Sequence, residues 1–436
     1  MEDKIIEAQY SLTFREDEAV QLGRHLKGRN SVVLIGMKRV GISNFLRFFL
    51  NHKGIVEKYM GNGEKHLFIP VDLNDLVEKE IFPFWRLTFK RIVDASDKSI
   101  LSQKTKKHIE TLFLDSIKSQ DLLLTIDGIK KSLIQIINAG SLPTIFFIRF
   151  DRIKDVVTSE LFGNLQGLKD ATHHKLSYVF TSFRNLNILS PSVFTKASLG
   201  VFSKDLYIKP ARGEDAKIIF GTYKDRYGLN LSKSVEESLL DAVDGYVQYL
   251  QLALILLHEG QTPSSNETEL FESLLKDERI ALQSEELWES LAENEKAVLM
   301  KVSKGGQILP EEKDKARYLW DTGFIVEKNS TRTLFSPLFD YYLKQREKST
   351  QVENHGIEFT KKEIALFNFL KSKTNEVCER EKIVEVVWPE VEELGVSDWA
   401  IDRLVARVRN KLKLQKSGFE IQTVKTRGYK LIEFLK

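Results

Sequence analysis

The sequence predicts an α/β parallel sheet covered by helices, then helical modules, then a C-terminal unit of three helices and a hairpin. Three observations carry this prediction. Short apolar runs rich in β-branched and aromatic residues alternate with helical patterns in the first half. From Arg212 to about Gly260 the pattern is helical only. The C-terminal segment shows three amphipathic helical stretches followed by two short strand-like runs.

The elements follow in order. Ser31–Ile35 (SVVLI) is an apolar run ending at Gly36, and Ser43–Leu50 (SNFLRFFL) continues as helix. His66–Leu73, Thr144–Ile148 and Leu176–Thr181 are further strand candidates, and Val201–Ile208 is a weaker fifth. Helical stretches such as Phe82–Ser96 and Leu122–Ala139 separate them. Strands that alternate with helices argue for a parallel sheet buried on both faces. Glu285–Gln345 reads as short helices with a β pair at Ile325–Glu327 and Thr333–Phe335. The clearest linkers are Gln261–Thr268 (QTPSSNET) and Lys348–Gly356. These signals divide the chain into an α/β domain (1–210), a helical lid (211–265), a winged-helix-like module (266–348) and a C-terminal domain (355–436).

Composition bounds the function. Hydrophobic residues are 42% and charged residues 29%, which excludes disorder, collagen and a plain coiled coil as the main state. A single cysteine, Cys378, excludes an internal disulfide and a cysteine-based zinc site. It reads as a small buried hydrophobe. With no secretory pattern at the start of the chain, a cytoplasmic, reducing setting is expected. No run of about 18 apolar residues occurs, so no membrane span is expected. His173-His174 lack a spaced set of partner ligands and read as surface loop, so no metal site is expected.

Net charge is only +3, but it is unevenly placed. Ser397–Lys436 holds ten Lys/Arg against four Asp/Glu, a balance of +6. His355–Val396 holds six against nine, a balance of −3. A basic block of this kind is an electrostatic footprint for an anionic partner.

Gly36-Met37-Lys38-Arg39-Val40-Gly41-Ile42-Ser43 lies between a strand and a helix, the context of a P-loop. Glycines there let backbone N–H groups wrap phosphates at a positive helix end. The motif also needs a lysine before the Ser/Thr, and here that residue is Ile42. Gly36, Gly41, Ser43, Lys38 and Arg39 are the nucleotide-binding candidates. This segment resembles the loop of STAND and archaeal-type AAA ATPases, Gly-x-Arg-Arg-Val-Gly-Lys-Thr/Ser. The resemblance continues at Phe147–Ile153, where the family has a strand ending Asp-Glu-Phe-Asp-Arg-Leu. On that match the magnesium-binding Asp falls on Ile148 and the catalytic Glu on Arg149. Thr181-Ser182-Phe183-Arg184 resembles the sensor strand end. Asp241–Tyr246 resembles the lid-helix motif without its His-Pro. The resemblance spans roughly Gln9–Gln345. Phosphoryl transfer needs a cation, Mg²⁺ and a group that orients water, and all three are degenerate here. Lys38 or Arg39 could stand in for the lost cation and Asp151 for the metal ligand. The simpler reading is a retained fold without turnover, in which ATP or ADP could still bind. No catalytic residue is assigned.

In the C-terminal segment Thr360-Lys361-Lys362-Glu363 is a capping box. It opens a helix expected to bury Ile364, Phe367 and Leu370. A second helix, Arg380–Trp388, would bury Ile383, Val384 and Val387, with Trp388 in the core. A third, from about Ser397 to Leu414, would bury Ile401, Leu404, Val405, Val408 and Leu412. Its other face carries Arg403, Arg407 and Asn410, flanked by Arg409, Lys411 and Lys413. Gly418–Val424 and Tyr429–Leu435 read as a hairpin. This is a winged helix-turn-helix, whose third helix enters the major groove of DNA. Arginine there can pair with guanine edges, and lysines with phosphates. The wing would present Lys425, Arg427 and Lys430.

The block resembles the OmpR/PhoB-type effector domain. Ile383–Trp388, Ile401–Leu412 and Ile421–Tyr429 match its Leu-x-x-x-Val-Trp, Val-Asp-x-x-Ile-x-Arg-Leu-Arg-x-Lys-Leu and Ile-x-Thr-Val-Arg-Gly-x-Gly-Tyr patterns. The match implies Arg407 as base contact with Arg403 beside it, Arg409 as phosphate or structural contact, and Lys430 as the wing cation. Trp399 stands where the family is often polar or basic, and Thr426 replaces a glycine. The expected function is a sequence-selective DNA-binding transcriptional regulator with a hydrolytically inactive sensor or oligomerisation module. Double-stranded DNA is the expected partner, with a homo-oligomer and a protein or nucleotide signal. The alternative is a nucleotide-gated STAND NTPase switch in phage defence or mobile-element control, with DNA as trigger. A third is an interaction scaffold.

Overall fold

The apolar runs of the first half assemble as β1 (Ser31–Ile35), β2 (Lys65–Asp72), β3 (Ser141–Ile148), β4 (Ser177–Ser182) and β5 (Ser203–Tyr207). They form one parallel sheet in the order β2-β3-β4-β1-β5. A computed structural model describes residues 5–61, 63–194, 203–260, 267–328, 331–352, 359–389, 398–415, 417–424 and 427–434. The chain divides into two compact units, Met1–Tyr342 and Leu343–Lys436.

Strand composition follows position. Every residue of β1 and β4 is buried, as central strands covered on both faces require. β2 and β5 lie at the edges and keep exposed residues. Pro70 sits on edge strand β2, where a missing ladder donor is tolerated. The phenylalanine-rich composition reappears as ring packing between strands: Phe147 of β3 stacks on Tyr178 and Phe180 of β4, with centroids 5.9 and 5.6 Å apart. The P-loop NTPase-like parallel sheet is therefore present.

The five strand readings hold within a few residues, including the weak fifth. A helix over Gln103–Ser119 adds a layer beside Ile81–Asp97 and Leu122–Asn138. Beyond β5, helices Glu214–Arg226, Lys233–Val243 and Val247–His258 precede Glu278–Glu289 and Glu293–Ser303. β6 (Ile325–Lys328) and β7 (Thr331–Leu334) form the short antiparallel pair. Gln261–Asn266 and Glu353–Gly356 of the two linkers lie outside the described residues.

The second unit packs helices Lys361–Ser372, Arg380–Val387 and Asp398–Leu414 against a small sheet. β9 (Phe419–Val424) and β10 (Gly428–Glu433) are the expected hairpin. A third strand, β8 (Val377–Glu379), pairs with β10 and was not read from the sequence. The third helix buries Ile401, Leu404, Val405, Val408 and Leu412 as expected. Trp388 and Cys378 are buried too. The first helix departs from expectation. Leu370 is buried as expected, but Ile364 is 45% exposed and Phe367 only half-buried, and Glu363 and Leu366 are buried in their place. Adjacent helical residues point about 100° apart, so an inward Glu363 turns Ile364 outward.

Candidate functional site

The first candidate site lies where the strands end. β1 ends at Ile35, and the turn Gly36–Gly41 feeds helix Ile42–Asn51. Gly41 caps that helix at φ 108°, and a Cβ there would meet Val247 Cγ2 at 2.7 Å. Both the backbone sign and the space demand glycine. The carboxyl edge of a parallel sheet is where α/β folds bind ligands.

The structure brings together the sequence-predicted parts. Lys38 and Arg39, at the turn's tip, point to one carboxylate: Lys38 Nζ lies 3.5 Å from Glu286 Oε1, and Arg39 Nε 3.2 Å from Glu286 Oε2. The Tyr246 hydroxyl, from the lid-like motif, donates to the Lys38 carbonyl at 2.6 Å and accepts from Gln283 Nε2 at 3.1 Å. Asp151 faces Lys38, Arg149 and Arg152; burial pushes its carboxyl above the usual range against their pull. Arg149, which follows β3, ion-pairs with Asp72. Its backbone N–H donates to Thr181 Oγ1 at 2.7 Å, so the hydroxyl near the end of β4 accepts from the chain itself. Arg184 forms two bonds to Glu295, 2.7 and 2.6 Å, and a third to the Ser290 carbonyl.

Lys38, Arg39, Arg149 and Arg184 thus each face a carboxylate of this chain. Sequence reasoning missed Glu286, Glu295 and Arg15. Glu286 lies 247 residues from Arg39, and no spacing rule links them. Arg15 is 1% exposed and holds Glu18 and the Lys209 carbonyl through Nη1. Its Nε and Nη2 have no hydrogen-bond partner among the described residues. Arg15 has a left-handed backbone at φ 47°, which no sequence pattern signals. His173 and His174 are exposed in a turn, and no cluster of potential metal ligands occurs among the described residues.

The second candidate site is the third helix and the wing of the C-terminal unit. Arg380 joins Asp402 at 2.6 Å and the Tyr429 hydroxyl at 3.0 Å, and Tyr429 also bonds Asp402. This ties the second helix, the third helix and β10 together. Arg409 donates to the Ile421 carbonyl at 2.6 Å and to Thr423 at 2.7 Å, fixing β9 against the helix. Lys411 Nζ lies 2.7 Å from Glu363 Oε2, and Arg407 Nε lies 3.5 Å from Oε1. Glu363 also accepts from the Thr360 N–H at 2.8 Å, completing the capping box. One 1%-exposed carboxylate therefore orients two cations of the third helix. Arg407 stays one-third exposed, Arg403 and Lys430 are half-buried, and Arg427 is exposed. The side chains of Trp399 and Asn410, and all of Lys425 and Thr426, lie outside the described residues.

Burial would raise the Glu363 carboxyl, but Lys411, the Thr360 N–H and Arg407 outweigh it and hold the pKa below the ordinary 4.5. A depressed folded-state pKa contributes stability above the unfolded value, and that stability is lost as pH falls through the lower folded value. The C-terminal unit is therefore expected to loosen below pH 4.5, read as faster amide exchange in residues 361–414. Lys411→Met is expected to move that loosening to higher pH. An unchanged acid midpoint would remove Glu363 from the account.

Residues 354–431 match the family model for "Transcriptional regulatory protein, C terminal". The C-terminal unit is thus a winged helix of that family. No curated protein matches the chain by sequence. Among solved structures, a Walker-type ATPase of Pyrococcus abyssi is similar at 16% identity and a TM-score of 0.48, covering 76% of this chain and 95% of its own. The ORC2 protein of Aeropyrum pernix, in ADPNP–ADP complexes, is similar at 12% identity and 0.45, covering 80% and 98%. The ORC1 protein of the same organism, in complex with DNA, is similar at 13% identity and 0.40, covering 81% and 97%.

Proposed function

We propose that this protein is a sequence-selective DNA-binding regulator of transcription whose N-terminal α/β module senses or scaffolds without hydrolysing nucleotide. The single observation that carries the reading is the third helix of the transcriptional-regulator domain, with Arg403 and Arg407 on its polar face and Arg409 and Glu363 bracing it. Arg407 is the base contact, Arg403 lies beside it, and Lys425, Arg427 and Lys430 serve the wing. Trp399, Asn410 and Lys411 flank the interface; Lys411 reaches phosphate only by leaving Glu363. The absence of turnover rests on Ile42, Ile148 and Arg149 at the three places where phosphoryl transfer needs a cation, a metal ligand and a base. ATP or ADP would bind through the Gly36–Ser43 backbone, with Lys38, Arg39 and Asp151 nearest. The protein would act in the cytoplasm, and homo-oligomers would pair half-sites on duplex DNA.

The test is equilibrium binding of the full chain to its DNA site. Arg407→Ala is expected to weaken it by about 1–3 kcal/mol, the value of a good bidentate base contact. Equal affinity of variant and parent would move base reading off Arg407. Salt-independent or absent duplex binding would favour a protein scaffold. The retained glycines and Ser43 favour one second reading, a nucleotide-gated switch in phage defence or mobile-element control. Magnesium-dependent ATP hydrolysis that Ser43→Ala abolishes would replace the first reading with it.

A further inference from the structure

We infer that Glu286 is the resident anion of the N-terminal glycine loop: a carboxylate of the chain latches the loop shut, and a polyphosphate enters only by displacing it. The inference deepens the sensing role proposed for this module.

Four observations converge. The Glu286 carboxylate spans the two consecutive cations of the loop, one oxygen on each, at 3.5 and 3.2 Å. It is 10% exposed while Lys38 and Arg39 are 25% and 41% exposed, so the acid is the buried member and the cations turn inward to meet it. The helix that carries it is held on the loop by a second contact, Gln283 to the Tyr246 hydroxyl and from there to the Lys38 carbonyl. On the loop's other side, a Cβ at Gly41 would lie 3.7 Å from Arg15 Nη2. That guanidinium is 1% exposed, and its Nη2 and Nε lack an acceptor among the described residues.

The arrangement is asymmetric in charge. The glycine turn, the helix N-terminus and the two unpartnered N–H groups of Arg15 all favour an anion. Glu286 satisfies its cations at the tip, while at the base Arg15, paired with Glu18 through Nη1, keeps two buried N–H groups, Nε and Nη2, without an acceptor among the described residues. A di- or triphosphate could satisfy both, but it must first release helix Glu278–Glu289 from Lys38 and Arg39. Binding is then coupled to movement of that helix, because the ligand and Glu286 compete for the same two side chains. A latch of partly exposed ion pairs is weak enough to be opened by a ligand.

The test uses the full chain with ATP, ADP and inorganic tripolyphosphate as separate probes. Removing the latch charge by Glu286→Gln is expected to tighten binding of at least one probe about ten-fold, the masked fraction being relieved. Lys38→Met in the Glu286→Gln background is expected to abolish that gain. In the unmutated protein, saturating probe is expected to speed amide exchange in residues 278–289. Tightening for tripolyphosphate as well as nucleotide would assign the site to the phosphate chain; tightening for nucleotide alone would add a base contact. Both outcomes support the latch. Unchanged affinity in Glu286→Gln, together with unchanged exchange in residues 278–289, would overturn it. Each outcome is separable from the function proposed above, since duplex binding tests the C-terminal helix alone. ATP hydrolysis that appears only in Glu286→Gln would keep the latch and overturn the inactive-module reading.

Discussion

Glu295→Ala is expected to destabilise the N-terminal unit by about 3–5 kcal/mol, because it strands a buried guanidinium. Arg184 and Glu295 side chains are 7% and 6% exposed and joined by two bonds of 2.7 and 2.6 Å. Burial alone would lower the Arg184 pKa, but Glu295 outweighs it and holds the pKa raised. The guanidinium also lies 3.9 Å from the Tyr318 ring centroid, and the Tyr318 hydroxyl donates to the Phe183 carbonyl at 2.7 Å. Glu295 does a second job: it accepts from the Ala292 N–H at 2.8 Å and so caps helix Glu293–Ser303. The end of β4 and the following helical module thus share one charged clamp. Denaturant unfolding of the full chain, with amide exchange assigning the loss to residues 177–303, reads the effect. The pair variant Arg184→Met/Glu295→Leu is expected to cost much less than Glu295→Ala, since no charge is then left unpaired. A loss below about 1 kcal/mol in Glu295→Ala would mean that water reaches Arg184 and that the clamp is not buried in solution.

Gly245→Ala is expected to cost about 3 kcal/mol or more, or to prevent folding of the N-terminal unit. Gly245 has φ 75°, and a Cβ there would lie 1.6 Å from the Ala211 carbonyl oxygen. The neighbour is backbone, and no rotamer change relieves it. Ala211 N–H also donates to the Gly245 carbonyl at 3.0 Å, so the two strands of chain are locked face to face. The next residue, Tyr246, is the one that touches the glycine loop. Partial folding of the variant should therefore also release the Lys38 carbonyl, seen as faster exchange around residues 36–43. A fold and stability equal to the parent would show that the turn at Asp244–Gly245 has room to move.

What the sequence made legible was local. Runs such as Ser31–Ile35 and Leu176–Thr181 are apolar because central parallel strands are buried on both sides, and that signal needs no knowledge of partners. The Gly36–Ser43 loop and the third C-terminal helix were readable for the same reason: spacing along one element fixes which side chains share a face. What stayed hidden depends on distant pairs. Val377–Glu379 is three residues long and is a strand only because β10 lies beside it. Ile364 fits a helical apolar stripe, but the buried ion pairs of Glu363 decide which face turns inward. For Arg409 the sequence left two roles open, phosphate or structural contact, and only the distant pairing with β9 shows its guanidinium bound within the fold. The carboxylates Glu286 and Glu295 carry no motif, and each meets its cation across more than a hundred residues of chain.

The most direct test of the central claim is selection of bound duplexes from a genomic library by the full chain, with Arg407→Ala selected in parallel. The expected result is an enriched motif that the variant loses or relaxes at one position, with an affinity that falls steeply with salt. Enrichment of the same motif by the variant, or salt-sensitive binding with no motif in either, would contradict sequence reading by the third helix and leave the basic block as a tether.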